Sequence, residues 1–251
     1  MLRKYSLEIS LALSVVLLIG QLAWPSAVRW WRLPAPGRTG FDQFDASGRV
    51  AAGYALHLPS RYGADAIDWP LVVFLHGAGE KGNDPTMLRE YRGIGRDKEL
   101  QAIVAAPQCL PASGWEPDSV VAFVEHVATT YRVDRSRIYL MGTSMGGYGT
   151  WHSAAAHPEL FAAIVPICGG GDPEQAALLA NLPIWAFHGA NDDVVPLAQS
   201  ERMIEAVRAA GGKPLFTVLP DAGHAIGEST YRRNELWRWL FEQQRPVNGQ
   251  H

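Results

Sequence analysis

The 251-residue chain is poor in several things, and each shortage excludes a class of protein. Its two cysteines, Cys109 and Cys168, are too few for a disulfide-built scaffold or a four-cysteine zinc site. Charged residues are 19% of the total, which argues against global disorder. There is no basic surplus: 22 Lys and Arg stand against 25 Asp and Glu, and the net charge of −3 excludes the electrostatic footprint of a nucleic-acid binder. The sequence has no H-E-x-x-H zinc motif, no close His/Asp metal pattern and no G-x-x-x-x-G-K phosphate loop, so no metal and no cofactor is expected. Internal repeats and low-complexity tracts are lacking too. What is abundant is apolar residue, 47% of the chain, enough for one sizeable core.

The one long apolar run lies at the N-terminus. Arg3 and Lys4 precede Ile9 to Ala23, a basic segment followed by an apolar one, as in an export signal. The cleavage pattern is weak. A cut after Ala27 leaves Pro25 three residues before it, and a cut after Ala23 leaves Gln21 there; neither is small-x-small. The run is short of the ~20 apolar residues of a membrane span, yet extended over residues 7–28 it approaches one. Trp30 and Trp31, flanked by Arg29 and Arg32, suit an interfacial belt. Residues 1–28 are thus a signal peptide or an uncleaved anchor, with the weak cleavage site favouring the anchor, and the product is expected on the periplasmic or extracellular face. Pro34, Pro36, Gly37 and Gly40 make residues 29–40 a linker, and 41–251 form the catalytic domain.

In that domain strand and helix patterns alternate. Phe41 to Ala46 and Val50 to Leu58 read as an antiparallel pair joined near Ser47-Gly48. Leu71–Leu75, Ala102–Ala106, Ile138–Met141, Ala163–Ile167, Ile184–Phe187 and Leu215–Leu219 are continuous apolar runs, as in strands buried on both faces. Helical patterns lie at Ser119–Tyr131, Gly147–Ala156, Leu197–Ala210 and Tyr231–Gln243. The fold class is α/β, with an about eight-stranded, mostly parallel sheet covered by helices on both faces and no large lid domain. The chemistry of such sheets sits at the carboxyl ends of the strands.

Three of those ends carry the parts of a hydrolase. Gly142-Thr143-Ser144-Met145-Gly146 is G-x-S-x-G between a strand and a helix, the context that gives the motif meaning. The tight turn pushes Ser144 out at the start of a helix, whose free N–H groups favour an oxyanion. A serine needs a base, and the order for this fold is Ser, acid, His. His224 follows the last strand and is the well-placed histidine. His57 falls in a strand, His126 in a helix, His152 and His157 in or after the nucleophile's helix, and His188 comes too early. The acid belongs to the turn Asn191-Asp192-Asp193, where the residues alone leave Asp192 and Asp193 open. The N–H of Met145 and that of Ala78 or Gly77 are the candidate oxyanion donors. His76 reads as a structural histidine. Glu80 at the rim and Trp115 on the loop after the fourth strand are candidate substrate contacts, each weighed against a surface ion pair or plain packing.

Five blocks, Leu75-His76-Gly77-Ala78-Gly79-Glu80, Ala106-Pro107-Gln108-Cys109, residues 142–151, residues 166–172 and Phe187 to Pro196, together resemble the α/β-hydrolase superfamily. More narrowly they resemble the predicted-peptidase and phospholipase/carboxylesterase-like group near polyhydroxybutyrate-depolymerase and feruloyl-esterase-type enzymes. The resemblance spans roughly residues 50–243. It implies Asp192 as the triad acid, from the pattern H-G-x-x-D-x-x-V-P, and His224 as the base. Relatives often carry an aromatic residue shortly after this histidine, where Gly227 stands here. The expected reaction is cleavage of short-acyl carboxylic esters, from a small molecule or a polymer end. A serine peptidase and a non-catalytic binding module are the alternatives, and oligomeric state is left open. Cys109 and Cys168 are expected as free thiols.

Overall fold

The computed structural model describes residues 39–42, 53–64, 66–91, 100–110, 112 and 114–246. All fall in the unit Pro34–His251. The N-terminal signal or anchor and most of the linker lie outside the described residues, and no helix among those described is long and apolar enough to cross a membrane.

Eight strands among the described residues form one sheet: β1 (Thr39–Asp42), β2 (Tyr54–His57), β3 (Trp69–Leu75), β4 (Ile103–Pro107), β5 (Val133–Thr143), β6 (Ala163–Ile167), β7 (Trp185–Gly189) and β8 (Leu215–Leu219). Their order is β1-β2-β4-β3-β5-β6-β7-β8. The β1 and β2 pair is antiparallel, and β2 joins β4 antiparallel; every later pairing is parallel. The expected antiparallel pair is present, its first strand beginning at Thr39 and ending at Asp42. The expected connection near Ser47-Gly48 is outside the described residues. The α-helices among the described residues are α1 (Pro117–Thr130), α2 (Met145–Ala156), α3 (Ala198–Ala209), α4 (Gly227–Tyr231) and α5 (Asn234–Glu242). Short 3-10 turns lie at Ala78–Glu80, Pro85–Tyr91 and Pro173–Leu179.

Residues of β2, β3, β4 and β6 are buried throughout, and for β3, β4 and β6 this is why the sequence reads as an unbroken apolar run. One core cluster joins Val72 and Phe74 of β3, Val104 and Ala106 of β4, Tyr139 and Met141 of β5, and Val165 and Ile167 of β6 to Leu236, Trp237 and Leu240 of α5. Trp185 stacks on Phe187 with ring centroids 5.1 Å apart, and meets Trp239 edge-on at 5.4 Å.

Two elements differ from the sequence pattern. Strand β5 starts at Val133, five residues before the apolar run, because Asp134-Arg135-Ser136-Arg137 is polar yet extended. There the Asp134 carboxylate accepts from Ser136 N–H (2.9 Å) and Arg137 Nε (2.6 Å), so the segment satisfies its own polar groups. Its register against β3 shifts between Trp69 and Leu71, where Pro70 has no N–H to give. The last expected helix, Tyr231–Gln243, starts only at Asn234 as α5, and the short α4 before it was not expected; Arg233 between them is extended (φ −75°, ψ 117°). Trp237 Nε1–H donates to Tyr231 O across the break at 2.7 Å.

The tightest junction is where β5 turns into α2 beside the end of β3. A Cβ on Gly146 would overlap the carbonyl oxygen of Leu75 and stand 2.8 Å from that of His76. Both obstacles are backbone and cannot swing aside. Gly146→Ala should therefore cost about 3 kcal/mol or more in urea-unfolding free energy, at the upper end of overpacking penalties. A loss below about 1 kcal/mol would show that the junction can open.

Candidate active site

Strands β3 to β8 run parallel, so their carboxyl ends lie along one edge of the sheet. Ser144 ends β5 with φ 56° and ψ −117°, the sharp turn expected for G-x-S-x-G. A non-glycine residue at positive φ costs roughly 1–3 kcal/mol, so the fold must hold it there. Ser144 N–H donates to Ile167 O of β6 (2.8 Å), and its carbonyl accepts the first α2 bond from Tyr148 N–H (3.0 Å).

The turns after β7 and β8 are laced together. Ala190 N–H donates to Leu219 O (2.9 Å), and Asn191 N–H to Ala222 O (2.9 Å). A side chain on Gly189 would collide with the carbonyls of Ala222 and Gly223, so glycine permits the approach. This brings Asp192 and His224, from separate loops, into contact. His224 Nδ1 lies 2.7 Å from Asp192 Oδ2, and its Nε2 lies 2.9 Å from Ser144 Oγ. The expected Ser, acid and His thus come together in one hydrogen-bonded line. Asp193 is exposed, Asp172 caps the 3-10 turn at Pro173–Leu179 through Glu174 N–H, and Asp221 is exposed, so Asp192 is the acid that reaches His224.

The Asp192 side chain is 0% exposed, and three N–H groups hydrogen-bond to it. Val194 and Val195 N–H reach Oδ1 at 3.0 and 2.8 Å, and His224 Nδ1 reaches Oδ2 at 2.7 Å; His188 Nε2 stands beside Oδ2 at 3.2 Å while its hydrogen bond goes to Val195 O. Burial pushes this carboxyl up, but the hydrogen bonds from His224 and the two amides outweigh it and hold it below the usual carboxylate range. Cys168, at φ 47°, lies beneath. Its S–H reaches His224 O at 3.4 Å. Burial, reinforced by Asp192, pushes the thiol up to about 12. Both cysteines are free and buried. Cys168, His188 and Asp192 have ligand atoms within 4.8 Å of one another, a grouping that sequence spacing did not show. Asp192 and His188 are already engaged by hydrogen bonds, so the grouping reads as the cage around the acid.

Gly77 lies against the serine: a Cβ there would be 3.7 Å from Ser144 Cβ. Ala78 opens a 3-10 turn and Met145 opens α2. The N–H of a first helical residue has no partner within its own helix, and neither amide donates to backbone outside it among the described residues. Beneath this loop His76 is fully buried. Cys109 N–H donates to its Nε2 (2.8 Å) and its Nδ1 pairs with Gly77 O (2.6 Å), which sets the neutral Nδ1–H tautomer of a structural histidine. Trp115 is only 7% exposed; it stacks edge-on with His76, donates to His76 O (3.0 Å) and packs over Gly149 of α2. It supports the loop rather than facing open space. Glu80 sits 3.8 Å from His76 Nδ1 with a side chain 31% exposed, and its carbonyl accepts from Gln108 Nε2 (3.0 Å).

Sequence reasoning missed two neighbours. One is His188, set aside on chain order although it stands four residues before the acid. The other is Tyr231, whose hydroxyl is hydrogen-bonded to Thr143 Oγ1, next to the serine. A Cβ on Gly227 would come 3.0 Å from that hydroxyl, so the glycine that replaces the expected aromatic makes room for this one.

A serine on a sharp strand-to-helix turn, met by His and Asp from the next loops of a mostly parallel sheet, defines an α/β-hydrolase. Within that class the chain belongs to the Dienelactone hydrolase family, whose sequence model matches residues 49–235. A relative in Escherichia coli, named "Putative carboxymethylenebutenolidase", is 37% identical over 123 residues, covering 44% of this chain and 45% of the relative. A bifunctional acetylxylan esterase/xylanase of Neocallimastix patriciarum is 27% identical over 145 residues, 55% of this chain and 22% of its own. The chain spans about half the length of the first of these or less. Among solved structures, a thermostable esterase superposes with TM-score 0.71 at 32% identity, over 82% of this chain and 63% of that one. A ferulic acid esterase shares the fold, with TM-score 0.64 at 18% identity, over 81% and 96%.

Burial, with Lys81 adding to it against the Gly77 bond, lowers His76 to about 4 from an ordinary value of 6.5. The unfolded chain therefore takes up this proton near pH 6.5 and the folded one only near pH 4. Stability supplied by the neutral ring is complete above about 6.5 and is lost as pH falls toward about 4. Urea unfolding at pH 7 and pH 4 should show wild type losing about 3 kcal/mol more than His76→Asn. Equal losses would mean that another group carries the acid sensitivity.

Proposed function

We propose that this protein hydrolyses carboxylic esters through an acyl-enzyme on Ser144. The observation that carries this reading is the line Ser144 Oγ, His224 Nε2 at 2.9 Å, and His224 Nδ1 to Asp192 Oδ2 at 2.7 Å. Membership of a hydrolase family and likeness to esterases support it.

The chemistry follows from the geometry. As Ser144 Oγ attacks the ester carbonyl carbon, His224 Nε2 takes the hydroxyl proton. The carbonyl π pair moves onto oxygen, where the N–H groups of Met145 and of Ala78 in the Gly77 loop are the proposed donors. When the tetrahedral species collapses, the ester C–O bond breaks and the departing alcohol takes the proton from His224. Water then repeats the sequence on the acyl-enzyme, releasing the acid and restoring Ser144. Asp192 holds the His224 tautomer and stabilises the transient imidazolium without accepting its proton.

For substrate, short acyl esters or exposed polymer ends fit the reading best. Residues 169–183, the segment available for a cap, hold only the 3-10 turn Pro173–Leu179, which buries Ala176 and Leu179 and packs toward α3. We further propose export, with residues 7–28 as a membrane attachment. The basic-then-apolar N-terminus supports this, and fractionation of cells expressing the full chain checks it.

The decisive assay is hydrolysis of p-nitrophenyl acetate, butyrate and octanoate by the full chain. Wild type should favour the two short esters, and Ser144→Ala should lower kcat by about 10⁴-fold or more. Preference for octanoate would overturn the short-acyl reading. Turnover unchanged in Ser144→Ala would remove the serine from the mechanism, and a folded but inactive wild type would redirect the search to peptide amides.

A further inference from the structure

The proposed reaction uses one histidine, yet a second touches the same carboxylate. His188, at the end of β7, is fully buried. Its Nε2 lies 2.9 Å from Val195 O and 3.2 Å from Asp192 Oδ2, and its Nδ1 lies 2.7 Å from Ser200 Oγ. Ser200, in α3, also stands 2.7 Å from Gly169 O. The ring is thus pinned at both nitrogens, between the acid loop and α3.

Hydrogen-bond accounting assigns its tautomer. A carbonyl and a carboxylate both accept, so Nε2 must carry a proton. Ser200 has one hydroxyl proton and two acceptors in reach. It can donate to Nδ1, leaving the ring neutral, or to Gly169 O, accepting a hydrogen bond from Nδ1–H. In either arrangement Nε2–H is hydrogen-bonded to Val195 O, with Asp192 Oδ2 3.2 Å from the same nitrogen. The two loop ends of the acid turn, His188 and Val195, are thereby tied to each other across Asp192.

We propose that His188 is a positioning residue for the hydrolytic reaction, holding Asp192 Oδ2 in place for His224 and tempering the basicity of His224 by sharing the carboxylate's charge. The proposal rests on the reading of Ser144, His224 and Asp192 as the hydrolytic group. The physical reasoning is direct. A positively polarised N–H 3.2 Å from Asp192 Oδ2 stabilises the carboxylate's negative charge, even with its hydrogen bond directed to Val195 O. With that N–H gone, the carboxylate attracts its remaining partners more strongly, and the partner best able to respond is the imidazolium of His224. The other titratable groups facing this cluster are Cys168, from the end of β6, and Tyr148, on α2, whose phenol feels Asp192 and the Arg202 guanidinium of α3. Burial pushes both upward, so they stay uncharged through the pH range of the test.

The test uses the full chain, p-nitrophenyl acetate and the pH dependence of kcat/KM. His188→Leu removes the donor at similar bulk; His188→Gln keeps an N–H near the Nε2 position. The leucine variant should lose about 10- to 100-fold in kcat/KM, the worth of a hydrogen bond to a charged group. Its acid limb should move up by about one pH unit. The glutamine variant should recover most of the rate and return the limb toward wild type. A leucine variant that loses rate with its limb unmoved, or a glutamine variant no better than leucine, would overturn the proposal. The second measurement needs no variant to fold: nitrogen-15 histidine NMR of the wild type should show Nε2 of His188 protonated across neutral pH, and a bare Nε2 would sink the idea. Failure here with Ser144→Ala still inactive leaves the ester-hydrolase reading intact. A wild type without esterase activity, but with Nε2 of His188 protonated, would fault that reading instead.

Discussion

The site hangs on one bent residue. Ser144 is held at φ 56°, where an L-residue is strained, and the restraints that keep it there are mostly backbone. Its N–H is tied to Ile167 O, and its carbonyl starts α2. Gly146 lets that helix close down on the Leu75 and His76 carbonyls. The same closure brings the loop after β3 toward the serine, so that a Cβ added at Gly77 would meet Ser144 Cβ at 3.7 Å. A side chain in this junction would push apart the strands that supply both.

The second half of the site follows a different rule. Asp192 and His224 sit on loops that would be mobile if free, and backbone hydrogen bonds between the turns after β7 and β8 prevent this. Around the acid stand two amides and two imidazoles, and among the described residues no Lys or Arg forms a salt bridge with it. A buried carboxylate without a cationic side chain is stable only when its lone pairs are satisfied. The amides and His224 hold Asp192 below the usual carboxylate range. His76 holds the loop after β3 from below, bonded at both nitrogens.

Much of this was legible in the chain. Apolar runs identified β3, β4 and β6 almost to the residue, since burial on both faces demands unbroken hydrophobicity; the run of β8 marks its strand too, although Leu215 and Val218 there are exposed rather than buried. Strand β5 was seen only in its apolar half, because Asp134 pairs with Ser136 and Arg137, and Arg135 pairs with Glu125 of α1, hiding an extended segment behind polar letters. The short α4 was not legible because five residues, Gly227–Tyr231, are too few for a helical period to show; the Trp237 bond to Tyr231 O ties it to the start of α5. Trp115 was readable as either pocket wall or packing, and its bond to His76 O decides for packing.

The sequence by itself determined the fold class and the order of Ser144, an aspartate in the 192–193 turn and His224, because strand periodicity and turn chemistry are local and written in consecutive letters. Tertiary structure decided what depends on loops meeting. It selected Asp192 over its exposed neighbour, set Tyr231 on Thr143 through the space left by Gly227, and placed His188 and Cys168 against the acid. Those contacts join residues up to 88 positions apart. No local pattern encodes them, since they exist only once parallel strands have brought their carboxyl ends to one edge.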